Sequence, residues 1–117
     1  PHWILVNLGS NDVVFVGQGA ITRAEWRTSL GGLLDGLHAR WPLAQILVAR
    51  IYHADWTAEQ DTMNDTDLPT VLSTRGAWAA VGIDERTFLP GNTSDSTHPN
   101  STGYTLTAAE WQTAMGY

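Results

Sequence analysis

An aspartate and a histidine near the carboxyl end of the sequence have the types and the spacing of a proton-transfer pair. Asp95 and His98 lie three residues apart, and Pro99 follows directly. In a loop that turns once, this spacing can return the carboxylate to one ring nitrogen of the histidine, which leaves the other nitrogen free to accept a proton from a hydroxyl. The pair would then be the base and the orienting acid of a serine-hydrolase triad. Short motifs of this kind also occur in plain turns with a solvated histidine.

A second group of polar residues stands near the amino end, behind an apolar run. The run 3–6 has the composition of a buried strand and leads into Gly9-Ser-Asn11-Asp12. A glycine just past a strand lets the backbone turn sharply, and an asparagine two residues on can direct its amide NH2 at a developing oxyanion. These residue types also form ordinary turns, so this motif alone leaves both interpretations open. The two motifs together are more specific, because open α/β sheets build their sites where strands end.

With both motifs in this order, the chain resembles the SGNH (GDSL-type) hydrolases. Residues 9–12 resemble the third sequence block of that family, and residues 95–104 resemble the fifth. The resemblance extends over essentially the whole chain. It implies a flavodoxin-like α/β/α fold and an esterase or acyl hydrolase that needs no cofactor. Carbohydrate O-acetyl esters and short acyl esters are both substrates that it allows.

The resemblance also implies a role for each motif residue. His98 is expected to be the general base, and Asp95 the acid that orients it. Asn11 is expected to be a donor in the oxyanion hole, with Gly9 and Ser10 beside the substrate.

The nucleophilic serine is the one member of the triad that these residues do not supply. In the family, the block with this serine and the block with an oxyanion glycine both precede the third block, yet here only Pro1 and His2 precede the strand that leads into that block. Ser10 occupies a variable position of the third block and is a poor substitute. We therefore expect residues 1–117 to form a single domain that is the C-terminal part of a longer hydrolase, whose N-terminal part carries the serine in the same or a separate chain. The alternative is a non-catalytic binding module or an inactive fragment.

Composition restricts the classes of partner. The chain has 117 residues, 43% of them hydrophobic, and no cysteine, which suffices for one packed domain without disulfides or thiolate metal sites. A net charge of -6 argues against nucleic acid and anionic membrane surfaces, and no apolar run reaches the length of a membrane span. Sequons at Asn64, Asn92 and Asn100 favour a secreted protein, although a Thr-rich sequence also produces them by chance. The four histidines lack zinc-type spacing, so no metal site is expected.

Strands and helices are predicted to alternate along the chain. Strands are predicted at 3–6, 46–52 and 87–89, and helices at 22–41, 68–80 and 101–115. The first helix is predicted from a capping box at Thr22 and Glu25. Residues 13–20 are predicted to be a loop folded over the site. This alternation implies parallel strands joined by right-handed crossovers, and hence a three-layer α/β/α sandwich.

Further candidates follow the second predicted strand. His53 and Asp55 could form another acid and base pair, but we prefer substrate-binding or structural roles because nothing in their spacing holds them together. Trp56 lies on a strand-end loop and is the tryptophan placed to stack on a substrate, whereas those at helical positions are expected in the core.

Overall fold

Three short parallel strands form the centre of the computed structural model, which describes residues 1–117. They are β1 (Trp3–Val6), β2 (Gln45–Arg50) and β3 (Ala79–Asp84), in the spatial order β1-β2-β3. β1 pairs with β2 along its whole length, and β2 pairs with β3 with one irregularity between Val48 and Arg50. Because all three strands are parallel, their carboxyl ends lie at the same end of the sheet. β1 is an edge strand, since β2 is its only neighbour.

Helices lie in both connections between the strands, and one more helix follows the last strand. They are α1 (Ser10–Gly17), α2 (Arg23–Arg40), α3 (Thr57–Thr62), α4 (Leu68–Leu72) and α5 (Ser101–Ala114). A π-helical turn, Met63–Asp67, joins α3 to α4, and a 3-10 turn, Glu85–Thr87, follows β3. None of these helices combines the length and the apolar character that crossing a membrane requires.

The two faces of β2 bury two separate cores. Ile46 and Val48 belong to the larger core, together with side chains of α1, α2 and α4. Leu47 and Ala49 point to the opposite face and pack with Trp111 of α5. Successive side chains of a strand alternate between faces, so a continuous apolar run is what a strand covered on both sides needs. The architecture is α/β with a parallel sheet and is compatible with a three-layer α/β/α fold.

Helix α2 begins where the capping box predicts. The Thr22 hydroxyl accepts the Glu25 backbone N–H at 3.1 Å, and the Glu25 carboxylate accepts the Thr22 backbone N–H at 2.7 Å. Leu30 and Leu34 of the predicted apolar stripe are buried, whereas Trp41 at its end is 39% exposed. The helix is therefore confirmed, with a narrower buried face than the pattern indicates.

The predicted boundaries after α3 are wrong. The helix predicted at 68–80 ends at Leu72, and residues 79–84 form β3. The residues predicted as a strand at 87–89 belong to the 3-10 turn and the loop behind it. Pairing with β2 outweighs the helical propensity of the alanines. Gly82 has no side chain, so the Trp111 ring can pack directly on the strand. A Cβ at Gly82 would lie 2.4 Å from the Trp111 ring of α5.

Most of the predicted loop 13–20 is helix α1. Gly9, with φ 125°, turns the chain out of β1, and the helix begins at the next residue and inserts Val13 into the core with no exposed surface. The last predicted helix is confirmed to within one residue, although Tyr104, expected on its buried face, is 62% exposed. Gly103 is buried instead, against the carbonyl oxygen of Asn92.

Candidate active site

A cleft of about 450 Å³ lies at the carboxyl end of the sheet and is lined by residues of both predicted motifs, although Asp95 itself is not among them. The loop after β1 contributes residues 9–12, and the loop before α5 contributes residues 97–99. Glu85, Tyr104 and Thr107 complete much of the remaining wall. Parallel strands bring their carboxyl ends together, and the structure thereby joins two motifs from opposite ends of the chain.

Asp95 and His98 form the hydrogen-bonded pair that their spacing predicts. Oδ2 of Asp95 lies 2.7 Å from Nδ1 of His98. Oδ1 accepts the backbone N–H groups of Thr97 at 2.8 Å and of His98 at 2.7 Å. The carboxylate thus folds its own loop and orients the imidazole. His98 lines the cleft, and its Nε2 has no hydrogen-bond partner within the protein, so it is a free acceptor when the proton is on Nδ1.

The same contacts keep the Asp95 carboxylate charged. The His98 backbone N–H, the His98 ring and the Thr97 backbone N–H, in that order of importance, hold the pKa of Asp95 far below its usual range. The pair is nevertheless open to solvent, since the side chains of Asp95 and His98 are 55% and 72% exposed. An open pair of this kind leaves room for a further segment or a substrate to cover it.

Three hydrogen bonds hold the loop that carries Asp95 and His98. The Ser94 N–H donates to the His98 carbonyl at 2.8 Å, which closes the turn. The Ala54 N–H donates to the Ser96 carbonyl at 2.9 Å, which joins the loop to the segment after β2. Asn100 accepts the Gly103 N–H at 3.0 Å and caps helix α5. Local hydrogen bonds therefore fix the position of His98 despite its exposure.

The opposite wall of the cleft is the turn from β1 into α1. A Cβ at Gly9 would lie 3.1 Å from Cδ1 of Ile51, so the turn approaches the end of β2 closely. Ser10 is the first residue of the helix, and Asn11 is exposed at its first turn. The Asn11 side chain makes no hydrogen bond within the protein, which leaves its amide available to a ligand in the cleft.

No hydroxyl of the chain is hydrogen-bonded to Nε2 of His98. Ser10, Thr97 and Thr107 line the same cleft, but none of them bonds to the ring. The site therefore contains an imidazole with one free nitrogen, a carboxylate bonded to its other nitrogen and an unpaired amide, and no hydroxyl is bonded to the imidazole.

Two other predicted candidates lie away from the cleft. The Trp56 ring packs against Gly17, where a Cβ would lie 2.2 Å from it, and contacts the larger core. His53 is 7% exposed, and its Nδ1 lies 3.3 Å from the Asp55 backbone nitrogen, with no bond to the Asp55 carboxylate. The structure does not bring Trp56 to the cleft, and it does not form the alternative acid and base pair.

Glu85 is the residue of the cleft that sequence reasoning missed. It is 4% exposed, and its carboxylate accepts bonds from the Asn7 side chain at 2.8 Å and from the Tyr52 backbone N–H at 3.1 Å. Burial raises its pKa, the donors from Asn7 and Tyr52 oppose the rise, and the nearby Asp84 charge adds to it. A polar residue directly behind a strand is a usable signal, but the wrong boundaries predicted for β3 concealed it.

The asparagines of the three sequons all make structural hydrogen bonds. Asn64 is 2% exposed and binds both the N–H and the carbonyl of Ile51, at 2.9 and 2.7 Å. Asn92 donates to the Phe88 carbonyl, and Asn100 is the cap described above. The inference of secretion from these sequons remains a prediction.

Comparison of the chain with protein-family models, with curated proteins and with solved structures finds no match. The likeness to SGNH hydrolases therefore rests on the two motifs and on the site that they form. No group of three or more His, Cys, Asp or Glu side chains is arranged to hold a metal ion.

Proposed function

We propose that the chain carries the general base, the orienting acid and an oxyanion donor of an SGNH-type serine ester hydrolase. The observation that supports this most directly is the 2.7 Å contact between Asp95 and Nδ1 of His98, with Nε2 free in the cleft that Asn11 also lines. An ordinary solvated histidine in a turn is not expected to combine a hydrogen-bonded Nδ1, a free Nε2 and an amide donor that lines the same cleft.

The chemistry assigned to these groups is acyl transfer. A serine hydroxyl attacks the ester carbonyl while Nε2 of His98 takes its proton, and the Asp95 carboxylate stabilises the imidazolium that forms. The amide of Asn11 donates to the oxyanion of the tetrahedral intermediate. His98 then returns the proton to the leaving alcohol. In the second half of the reaction, Nε2 takes a proton from the water that attacks the acyl-enzyme and returns it to the serine oxygen, which releases the acid. These steps need no cofactor.

The serine is proposed to lie on an N-terminal part of the same hydrolase, in the same or a separate chain. β1 has one unpaired edge, and Leu5 and Leu8 on or beside it are 41% and 61% exposed. A free edge with apolar side chains is a template for another strand. In the family that the chain resembles, the strand that carries the serine lies at this position in a flavodoxin-like sheet.

The proposed substrates are small esters, either of hydroxyl-rich carbohydrates or of short acyl groups. Only 2 of the 12 residues that line the cleft are hydrophobic. A polar wall can hydrogen-bond the hydroxyl groups of a sugar, so it suits the alcohol part of a carbohydrate ester at least as well as an acyl chain.

An assay of p-nitrophenyl acetate hydrolysis tests the proposal. We expect no turnover by residues 1–117 alone, turnover when the N-terminal part is supplied, and loss of it in His98→Ala. His2→Ala, at an exposed histidine outside the cleft, is the matched control and should keep full activity. A serine-directed fluorophosphonate should label the supplied part. If no ester is hydrolysed and nothing is labelled, the proposal fails and the binding-module alternative stands.

A further inference from the structure

One buried carboxylate joins the ends of all three strands. Glu85 follows β3, its partner Asn7 follows β1, and its partner Tyr52 follows β2. Each carboxylate oxygen accepts a different donor: Oε1 that of Asn7 and Oε2 that of Tyr52. The ladder between β1 and β2 ends at Val48 and that between β2 and β3 ends at Arg50, so beyond these points side chains replace strand pairing.

This bridge reaches the oxyanion side of the cleft through a short piece of chain. Asn7 lies two residues before Gly9 and four before Asn11. Gly9 holds a left-handed φ of 125° close to Ile51, so the direction of the chain at Asn7 determines how the turn enters α1. A displacement at Asn7 is therefore carried to Asn11, while His98 sits on a loop with its own hydrogen bonds.

We propose that Glu85 is a positioning residue, which through Asn7 and Tyr52 sets the Asn11 amide relative to His98. The catalytic part of this inference rests on the proposed hydrolase function, whereas the structural part does not. A glutamate suits the position because its two oxygens together satisfy two donors that leave different strands. An apolar residue would remove the acceptor of the Asn7 amide and of the Tyr52 N–H, both of which make part-buried hydrogen bonds to the carboxylate.

The bridge depends on the charge of Glu85. The ionised carboxylate only accepts hydrogen bonds, whereas the protonated form carries an O–H on one oxygen and weakens the contact there. Burial raises the pKa of Glu85, the hydrogen bonds from Asn7 and Tyr52 oppose this rise, and the charge of Asp84 adds to it. The pKa is raised on balance, so the bridge should weaken at a higher pH than it would with an exposed glutamate. Asp12 and His98 are further ionisable side chains that line this cleft.

The test uses ¹⁵N-labelled residues 1–117 and NMR between about pH 3 and 8, a range that spans the ordinary glutamate value of about 4.3. We expect the Tyr52 backbone amide and the Asn7 side-chain amide to titrate together, with one midpoint above that value. In Glu85→Gln, this shared titration should disappear, and the Gly9 and Asn11 amide signals should shift. Glu110→Gln, at an exposed glutamate of α5, is the control and should change neither.

Independent titration of the two reporters, or unchanged Gly9 and Asn11 signals in Glu85→Gln, would overturn the inference. If Glu85→Gln does not fold, the titration of the unmodified protein decides. In the complete enzyme, Glu85→Gln should lower kcat about tenfold or more with KM little changed, as expected when a transition-state donor is misplaced. If the shared titration is seen but the complete protein has no esterase activity, the hydrolase proposal is refuted and the bridge at Glu85 stands. If there is activity but no shared titration, the hydrolase proposal stands and the bridge is refuted.

Discussion

Replacing Asp95 by asparagine should reverse the tautomer of His98 while leaving the loop in place. The amide oxygen of asparagine can take the place of Oδ1 and accept the backbone N–H groups of Thr97 and His98, which bind at 2.8 and 2.7 Å. The NH2 group then faces Nδ1 of His98, which now lies 2.7 Å from Oδ2. Because an NH2 group donates, Nδ1 must accept and the ring proton moves to Nε2. Nε2 would then no longer be available as a base.

The size of the effect follows from the exposure of the pair. In triad enzymes with a buried aspartate, the same change lowers kcat by about 10⁴ because it imposes the wrong tautomer. Here the two side chains are 55% and 72% exposed, so water competes for Nδ1 and some rings keep the productive tautomer. We expect the complete enzyme to lose about 10² to 10³ in kcat, within the range of general-base catalysis.

The tautomer can be read without the nucleophile. Long-range ¹H–¹⁵N NMR of residues 1–117, at a pH where the ring is neutral, should show the proton of His98 on Nδ1 in the unmodified protein and on Nε2 in Asp95→Asn. Asp55→Asn is the matched control, because the Asp55 carboxylate makes no bond to the nearby His53. The same tautomer in both proteins, or an Asp95→Asn enzyme within about threefold of full activity, would refute the reasoning.

Three further predictions concern stability, measured by urea denaturation. Asn64→Ala should lower the free energy of unfolding by about 2–4 kcal/mol, because the N–H and the carbonyl of Ile51 lose buried partners; no change would show that water satisfies both. Asp67→Asn should lower the free energy of unfolding by about 3 kcal/mol. This is the low end for breaking a buried ion pair, because the side chains of its partners Arg23 and Arg27 are 42% and 34% exposed. Burial alone would raise the pKa of Asp67, but the hydrogen bonds from the arginines outweigh it and lower the pKa, so this stabilisation should be complete above about pH 3.9 and disappear as pH falls through the folded value. A variant that keeps the same acid dependence would contradict this. Gly82→Ala should cost about 1–3 kcal/mol by overpacking against Trp111, and a neutral result would mean that α5 can shift away.

Features set by neighbours in the sequence were predictable. The capping box of α2 needs only Thr22 and Glu25, and the turn around Asp95 and His98 closes over three residues. Their hydrogen bonds depend on spacing, residue type and a local turn, all of which can be read along the chain. The capping box is confirmed, and Asp95 and His98 make the predicted hydrogen bond, whereas their roles as acid and base stay a prediction.

Features set by distant parts of the chain were not predictable. The stretch 79–84 contains alanines and a glycine, and only its pairing with β2 and the Trp111 ring against Gly82 make it a strand. Glu85 has partners 78 and 33 residues away in the sequence, so its role cannot be read before the strand order is known. Tyr104 is exposed because Gly103, next to it, is the residue that packs against the loop.

The end of β2 explains how a site with irregular backbone can sit on a regular sheet. Beyond the ladder, the backbone groups of Ile51, Tyr52 and His53 are bound by side chains of Asn64, Glu85 and Gln60, respectively. Buried backbone groups must find partners, and these side chains supply them where strand pairing stops. The loop after β2 can then leave the sheet and hold the loop of Asp95 and His98 through one backbone hydrogen bond, from Ala54 to Ser96. The exposed pair of Asp95 and His98 on its local turn therefore depends on buried polar residues below it, and these residues, more than the apolar cores, should determine the geometry of the cleft.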